Sequence, residues 1–202
     1  NEIKYTLADG TSVALEGVDF STPFITSALT ASFDENSPIS TLAYTATAID
    51  LDTEALQFSV TGTDASYFEI GTTDGTVYFK ESPDYESKPT YTFSLTASDG
   101  FSSDTETVIF AIIDVNDAPS ISSTAVTSAN EDALYSYTLS ATDPDENDTL
   151  TLSSETLPAW LSFNSETGLL SGTPTNEEVG THDIKLNVTD SAGARSSQSF
   201  SI

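Results

Sequence analysis

Acidic residues recur at matching places in two successive segments of this sequence, where they could bind a metal ion. The acids of the two segments are Glu35, Asp50, Asp52 and Asp99 in the first, and Glu131, Asp143, Asp145 and Asp190 in the second. Between the segments stands a joint, Asp114–Pro119, that reads Asp-Val-Asn-Asp-Ala-Pro. Calcium prefers oxygen ligands, above all carboxylates, and tolerates irregular geometry. The repeat therefore predicts calcium ligands at the junctions of tandem β-domains.

The net charge restricts the partners of the chain. Its 202 residues include 32 Asp and Glu against 5 Lys and Arg, which gives a net charge of −27. Nucleic acids and anionic membrane surfaces are excluded as partners because both require a basic face. So much negative charge repels itself unless cations neutralise it. No apolar run is long enough to cross a bilayer, and no signal peptide is present, which predicts a mature region or an internal fragment.

The absence of cysteine bears on how small domains would be stabilised. A small secreted β-domain without disulfides needs another cross-link, and a bound metal ion is the obvious one.

Short runs of alternating apolar and polar residues predict an all-β chain of two tandem immunoglobulin-like sandwiches. We assign residues 29–118 to the first domain and 119–202 to the second. Residues 1–28 lie outside the repeat and read as a β-hairpin, either an N-terminal extension or the last strands of a preceding domain. The predicted strands are 42–48, 56–60, 77–79, 91–95 and 108–112, then 135–139, 150–152, 161–163, 169–172 and 184–188.

Residues 32–119 resemble a cadherin repeat. Glu35 stands where that family has the glutamate of Pro-Glu-Asn, and Asp50 with Asp52 matches its Asp-x-Asp pair. Residues 84–86 match the Asp-Arg-Glu element with Tyr for Arg, and Asp99 matches the Ala-x-Asp acid. The joint matches Asp-x-Asn-Asp-x-Pro, with alanine at 118 where the second asparagine usually stands.

Residues 120–202 resemble the dystroglycan-type cadherin-like, or immunoglobulin-like He_PIG, module of bacterial surface proteins. The stretches Leu157–Phe163 and Thr167–Pro174 carry this resemblance. The second segment lacks a counterpart of the Asp-Tyr-Glu element, and Glu177–Glu178 falls in the corresponding loop.

The resemblance implies a set of calcium ligands around the joint. Its members would be Glu35, Asp84, Glu86, Asp114 and Asp117 from the first domain, with Asp143, Asp145 and Asp190 from the second and a backbone carbonyl from Asn116. A second joint, at the N-terminal end, would use Asp50, Asp52 and Asp99. Glu131, with Glu177 and Glu178, would face a following domain.

Other readings of these residues remain open. Any single aspartate could cap a turn or solvate the surface, as we expect of Asp64, a turn acid outside the motif. An EF-hand beginning at Asp143 fits poorly, because its sixth position is Asp148 rather than glycine and its twelfth is Ser154 rather than glutamate. Trp160 could stack on a sugar, although its sequence context favours packing in the core or at its rim.

The sequence thus predicts a calcium-stiffened spacer of a large bacterial cell-surface adhesin, located outside the cell and in contact with neighbouring repeats of its own chain. The alternative is a calcium-dependent module that binds a carbohydrate or a partner peptide. An enzyme is not expected, because the lone His182 is accompanied by no nucleophile motif and no zinc motif.

Overall fold

The computed structural model describes residues 22–51 and 55–202, together with the backbone of Lys4–Thr6 and Ser12–Ala14. The chain divides into two compact units, residues 1–115 and 116–202, each with its own β-sheets and hydrophobic core. We call them unit 1 and unit 2. Asp52, one of the predicted ligands, lies outside the described residues.

Unit 1 contains eleven described strands. They are β1 (Lys4–Thr6), β2 (Ser12–Ala14), β3 (Phe24–Ile25), β4 (Thr30–Asp34), β5 (Tyr44–Thr45), β6 (Ala48–Ile49), β7 (Gln57–Thr61), β8 (Phe68–Ile70), β9 (Thr76–Phe79), β10 (Thr90–Ser98) and β11 (Ser103–Ile113). A 3₁₀ turn, Ala65–Tyr67, precedes β8.

The largest sheet of unit 1 has the strand order β4-β11-β10-β7. In it β10 is antiparallel to both β11 and β7, whereas β4 runs parallel to β11. Smaller sheets, β5-β9-β8 and β3-β6, complete the unit, and β1 pairs with β2. Alternate residues of β10 are buried, which is the period of two expected of a strand with one face on a core. The core is aromatic: Phe68 packs against the rings of Phe79, Phe93 and Phe110.

Unit 2 contains eight strands. They are β12 (Ser120–Ile121), β13 (Tyr135–Thr138), β14 (Ala141–Thr142), β15 (Thr151–Thr156), β16 (Leu161–Asn164), β17 (Leu169–Gly172), β18 (Asp183–Thr189) and β19 (Arg195–Ser201). Its sheets have the orders β13-β17-β16, β15-β18-β19 and β12-β14. The core is mainly aliphatic, with Leu170, Leu186 and Val188 fully buried.

A glycine turns the corresponding hairpin of each unit, β8–β9 in unit 1 and β16–β17 in unit 2. Gly75 and Gly168 have φ angles of +68° and +71°, which side chains rarely tolerate. A Cβ at Gly75 would lie 2.3 Å from the carbonyl oxygen of Ala46, and one at Gly168 would lie 2.4 Å from that of Leu139. Each glycine carbonyl also accepts a hydrogen bond from the same neighbouring residue, Ala46 or Leu139. The two units thus share the same glycine-containing hairpin turn, packed against the backbone of a neighbouring residue.

The predicted fold class, tandem immunoglobulin-like β-sandwiches, is confirmed. The long alternating strands lie where the sequence places them. One difference is the run 42–48, which forms β5 and β6 instead of a single strand. The chain changes sheets at Ala46, because β5 pairs with β9 and β6 pairs with β3. Short strands such as β8, β12 and β14 were not predicted, since two or three residues are too few to show a period.

Candidate metal centres

Unit 1 brings three carboxylates together at one end of its large sheet. Oxygen atoms of Glu35, Glu86 and Asp114 lie within 4.8 Å of one another. We call this group cluster 1. Three negative charges at such distances repel strongly, so the group suits a hard divalent cation.

Hydrogen bonds across distant parts of the sequence fix Glu35, which is only 2% exposed. Its Oε2 accepts from the amide of Tyr85 at 2.7 Å, and its Oε1 accepts from the amide of Val115 at 2.8 Å. Its own amide donates to the carbonyl of Ile113. The carboxylate is therefore held in place by neutral donors.

Glu86 belongs to the turn that follows Pro83. Asp84 closes this turn, because its Oδ1 accepts from the amide of Ser87 at 2.9 Å and its Oδ2 from the Ser87 hydroxyl at 3.0 Å. Glu86 is exposed. The structure therefore places Glu86 in cluster 1 and uses Asp84 to shape the loop that presents it.

Unit 2 contains a second group, cluster 2, formed by Asp143, Asp148 and Asp190, whose oxygen atoms also lie within 4.8 Å of one another. Asp190 is 5% exposed, and its Oδ1 accepts from the amides of Gly193 at 2.5 Å and Ala194 at 2.7 Å. These bonds belong to the β18–β19 turn and hold the carboxylate in one orientation.

Asp145 lies beside cluster 2 and is tied to it by hydrogen bonds. Its amide donates to Oδ1 of Asp143 at 3.0 Å, and its Oδ2 accepts from the amide of Asp117 at 2.9 Å. Asn116 donates its side-chain amide to Oδ2 of Asp190 at 2.9 Å. Asn116 and Asp117, the first two joint residues of unit 2, thus both contact its acidic loops.

Two carboxylate oxygens at cluster 2 are buried without a hydrogen-bond partner: Oδ2 of Asp143 and Oδ1 of Asp145. A buried oxygen in this state loses its hydration without compensation, which costs free energy. A cation would restore the lost interaction, so the residues present fit a calcium ion.

The sequence did not single out Asp148 as a ligand. Its Oδ1 accepts from the amides of Thr149 at 2.5 Å and Ser191 at 3.2 Å. Hydrogen bonding, first of all from Ser191, lowers the pKa of its carboxyl below the ordinary aspartate value. Asn147 has a φ angle of 70°, and this left-handed residue turns the loop directly before Asp148. The available signal was that Asp148 is the third aspartate of the loop Asp143–Asp148, although the sequence suggests it only as the sixth position of a poorly fitting EF-hand.

The remaining predicted ligands are in neither cluster among the described residues. Asp99 is buried in the β10–β11 turn, where its Oδ1 accepts from the amides of Phe101 and Ser102, both at 2.6 Å. Its pKa is lowered, chiefly by the hydrogen bond from the amide of Ser102. Asp50 is half-buried at the end of β6, and Glu131 is exposed.

The loop of unit 2 that corresponds to the Asp-Tyr-Glu element is built differently. Asn36 and Asp132, which directly follow Glu35 and Glu131, donate their amides to the carbonyls of Pro83 and Pro174. Counting from these prolines, Glu177 corresponds to Glu86. Glu178 instead completes a capping box, in which its Oε2 accepts from the amide of Thr175 at 2.7 Å and the Thr175 hydroxyl at 2.6 Å.

Trp160 lies at the rim of the core of unit 2, with its ring edge-on to Tyr135 and His182. It lines a cavity of about 560 Å³ that is also bordered by Glu131 and Ile202. Its indole nitrogen is buried without a hydrogen-bond partner. Trp160 therefore both contacts aromatic rings at the rim of the core and lines this cavity.

Two protein families match the chain, one over most of unit 1 and the other over most of unit 2. Residues 29–116 match the family described as "Cadherin domain", and residues 118–202 match the family described as "Putative Ig domain". Cadherin domains are extracellular adhesion repeats that bind calcium as a class, and such modules are typically not enzymes. No curated protein matches the chain significantly.

Solved cadherin structures share the fold. Human protocadherin-24 EC1-2 superposes with a TM-score of 0.66 at 19% identity, covering 91% of this chain and 98% of that one. Mouse cadherin-23 EC22-24 superposes with a TM-score of 0.60 at 18% identity, covering 90% of this chain and 65% of that one. Drosophila N-cadherin EC1-4 superposes with a TM-score of 0.61 at 17% identity, covering 89% of this chain and 48% of that one. None of the described helices could cross a membrane.

Proposed function

Because residues 29–116 match the cadherin domain family and residues 118–202 match the "Putative Ig domain" family, we propose that this protein is a calcium-stiffened spacer segment of a large bacterial cell-surface adhesin. It would carry a binding region away from the cell and would itself perform no chemistry. Its immediate partners would be neighbouring repeats of the same chain.

The observation that carries this proposal is the pair of orphaned oxygens at cluster 2. The buried, unpartnered oxygens of Asp143 and Asp145 stand beside the three acids of the cluster. A water-exposed turn would solvate such oxygens, and a structural ion pair would satisfy them with a basic side chain. The two described salt bridges lie elsewhere, Lys88 to Asp64 and Lys185 to Glu155.

The charge of the clusters supports the same reading. Two unit charges 4 Å apart repel by about 4 kcal/mol at the effective dielectric of a protein surface. Each cluster holds three carboxylates within 4.8 Å, so each is costly without a counter-ion. Bound calcium would supply the compensating positive charge and bind the carboxylates into one rigid group.

The joint supports a stiffening role. Asp114 belongs to cluster 1, and Asn116 and Asp117 are hydrogen-bonded to the acids of cluster 2 or beside it. A short stretch of chain thus carries ligands or supports for both clusters. Calcium at the clusters would restrain the joint, and removal of calcium would release it.

Calcium titration by calorimetry, combined with small-angle scattering, tests this proposal. We expect saturable binding, a raised melting temperature and a stiffer scattering profile in calcium, all reversed by chelator. An identical melt and an identical profile in calcium and in chelator would refute the calcium reading. Calcium binding that leaves the profile unchanged but creates affinity for a glycan or peptide would replace the spacer with the ligand-binding module.

A further inference from the structure

We propose that unit 2 contains an acceptor site for an extended peptide strand, formed by residues 126–130 and the cavity beside Trp160. The strand that it accepts would run on directly from Ile202, in line with β19, and would place an apolar side chain in the cavity. This inference concerns the packing of unit 2 and does not depend on calcium.

The hairpin β10–β11 of unit 1 provides a register for β18–β19 of unit 2. Tyr91 pairs with Phe110 in the first hairpin, and His182 exchanges backbone hydrogen bonds with Ile202 in the second. In both units the first member of the pair lies eight positions before the buried aspartate of the hairpin turn. Ile202 therefore corresponds to Phe110.

Unit 1 shows what a strand beyond this position does. There β11 continues for three residues past Phe110 and pairs in parallel with β4. Ile112 of this continuation is 4% exposed and lies opposite Phe33, which is 8% exposed. The amide of Glu35 then donates to the carbonyl of Ile113. The end of β11 thus covers one end of the core.

The corresponding edge of unit 2 is unpaired. Residues 126–130 precede Glu131 as β4 precedes Glu35, yet they belong to no strand in this fully described part of the chain. None of the amides of residues 124–131 donates a hydrogen bond among those of the described residues. An open edge with unused amides is a template on which another extended segment can pair.

Unit 2 has small residues where unit 1 packs aromatic rings at this end. Phe33 and Phe79 stack with their centroids 5.1 Å apart. Their counterparts are Ala129, two positions before Glu131, and Gly172, four positions after the turn glycine as Phe79 is in unit 1. The cavity of about 560 Å³ is lined by residues 127–131 together with Trp160, His182 and Ile202. It therefore offers room for a large apolar side chain.

The chemistry of the site fits a peptide strand. Carbonyls along a parallel strand are evenly spaced and would accept from the row of unused amides. The indole nitrogen of Trp160 is a further donor, buried without a partner, and the same strand brings carbonyl acceptors to it. The side chain that enters the cavity would be the second after Ile202, because Ile112 is the second residue after Phe110.

Two other occupants fit less well. A sugar could accept from the indole, but it has no regular row of acceptors to match the amides of a strand edge. A separate peptide would lose its translational freedom on binding. A strand continuous with β19 avoids that loss, because Ile202 already lines the cavity and fixes where the strand begins.

Two lengthened chains, each with three residues added after Ile202, test the proposal in chelator. Ala-Ile-Ile reproduces the order of residues 111–113 and directs an isoleucine into the cavity at its second position. Ile-Ala-Ile has the same length and composition but directs an alanine there, so it is the matched control. A general effect of added apolar residues would be the same in both chains.

Trp160 is the sole tryptophan of the sequence, so its fluorescence follows the unfolding of unit 2. We expect Ala-Ile-Ile to raise the melting temperature detected in this way by at least about 5 °C, because it buries one more aliphatic side chain in a small domain. Ile-Ala-Ile should give less than half of that increase. Hydrogen exchange at residues 127–131 should slow more in the Ala-Ile-Ile chain than in the control.

Equal melting temperatures of the two lengthened chains would overturn the proposal, since the inward side chain would then have no effect. The unmodified chain tests the other occupants. Acetyl-Ala-Ile-Ile-amide and cellohexaose, each in millimolar excess, should leave its melting temperature and its Trp160 fluorescence unchanged. Stabilisation by either compound as large as that of the Ala-Ile-Ile extension would assign the site to a separate peptide or to a sugar instead.

Discussion

The amide of Val115 donates a 2.8 Å hydrogen bond to Oε1 of Glu35, which lies 80 positions earlier in the sequence. This bond connects the last residue of unit 1, directly after Asp114, to the carboxylate of Glu35, a member of cluster 1. The backbone at the start of the joint is thus held by the same side chain that would bind the metal. Calcium binding and the position of the joint residues should therefore be coupled.

Removing one charge from cluster 1 should reduce calcium binding without damaging the fold. Glu86→Gln removes a ligand charge from an exposed turn position, so we expect calcium affinity to fall at least about ten-fold. In chelator the variant should melt at the same or a higher temperature than the parent, because repulsion is relieved. Glu69→Gln, the same change at an exposed strand position, is the control. Matching losses of affinity in both variants would show that overall charge, not the cluster, governs binding.

Cluster 2 can be tested with a change that keeps its turn. Asp190→Asn retains an oxygen to accept from the amides of Gly193 and Ala194 but removes the charge. The new amide nitrogen takes the place of Oδ2 and cannot accept the hydrogen bond from Asn116, so we expect a modestly lower melting temperature in chelator. We expect calorimetry to show weaker calcium binding or fewer sites. Glu166→Gln, in the exposed β16–β17 turn, should leave binding as it is. Parent-like calcium binding by the Asp190 variant would remove cluster 2 from the proposal.

The Glu155–Lys185 pair should stabilise unit 2 only above acidic pH. Hydrogen bonding from Lys185, and then from Asn187, lowers the pKa of Glu155 below the ordinary glutamate value. A lowered folded-state pKa contributes stability that is complete above the unfolded-state pKa and is lost as the pH falls through the folded-state value. The difference in urea midpoint between the parent and Glu155→Gln should therefore shrink towards zero in acid. A difference that stays constant down to acid pH would contradict this account.

The raised pKa of Tyr135 predicts the opposite dependence of stability on pH, in the alkaline range. Burial raises the pKa of its hydroxyl from 10.0 to about 12, and this hydroxyl donates to the carbonyl of Val126 at 2.7 Å. A raised pKa contributes stability that is complete below the unfolded-state value and is lost as the pH rises through the folded-state value. Stability should thus fall between about pH 10 and about pH 12. Tyr135→Phe should be less sensitive over this range, and an equal decline in both proteins would contradict the prediction.

The fold could be predicted because apolar and polar residues alternate regularly in its longer strands. Runs such as Tyr91–Leu95 alternate between core and surface, and burial of one face dictates that pattern. The strands that the sequence did not reveal, such as Phe68–Ile70, depend on pairing with a partner that is distant in sequence or brought near by a turn. Their conformation comes from tertiary contacts, which a local pattern cannot contain.

The acids show a comparable limit, because residue type does not reveal the direction of a side chain. Asp64 reads as an ordinary turn residue, yet it is buried, accepts from the amide of Thr92 and forms a salt bridge with Lys88 at 3.1 Å. Asp84 matches a family ligand but closes its own turn, and Asp148 joins cluster 2 through a loop set by a left-handed residue. Sequence predicted where acids gather, and three-dimensional hydrogen bonding decides which of them converge.

The turns at Asn36 and Asp132 have a practical consequence for recognising diverged repeats. Both residues have left-handed φ angles, 57° and 59°, and both donate an amide to the carbonyl of a proline far along the chain. The side chains around the two turns differ, yet the turns share this φ angle and this hydrogen bond. A search for distant repeats could therefore use a short backbone template, a left-handed residue joined to a proline carbonyl, and would find modules whose acids have been replaced.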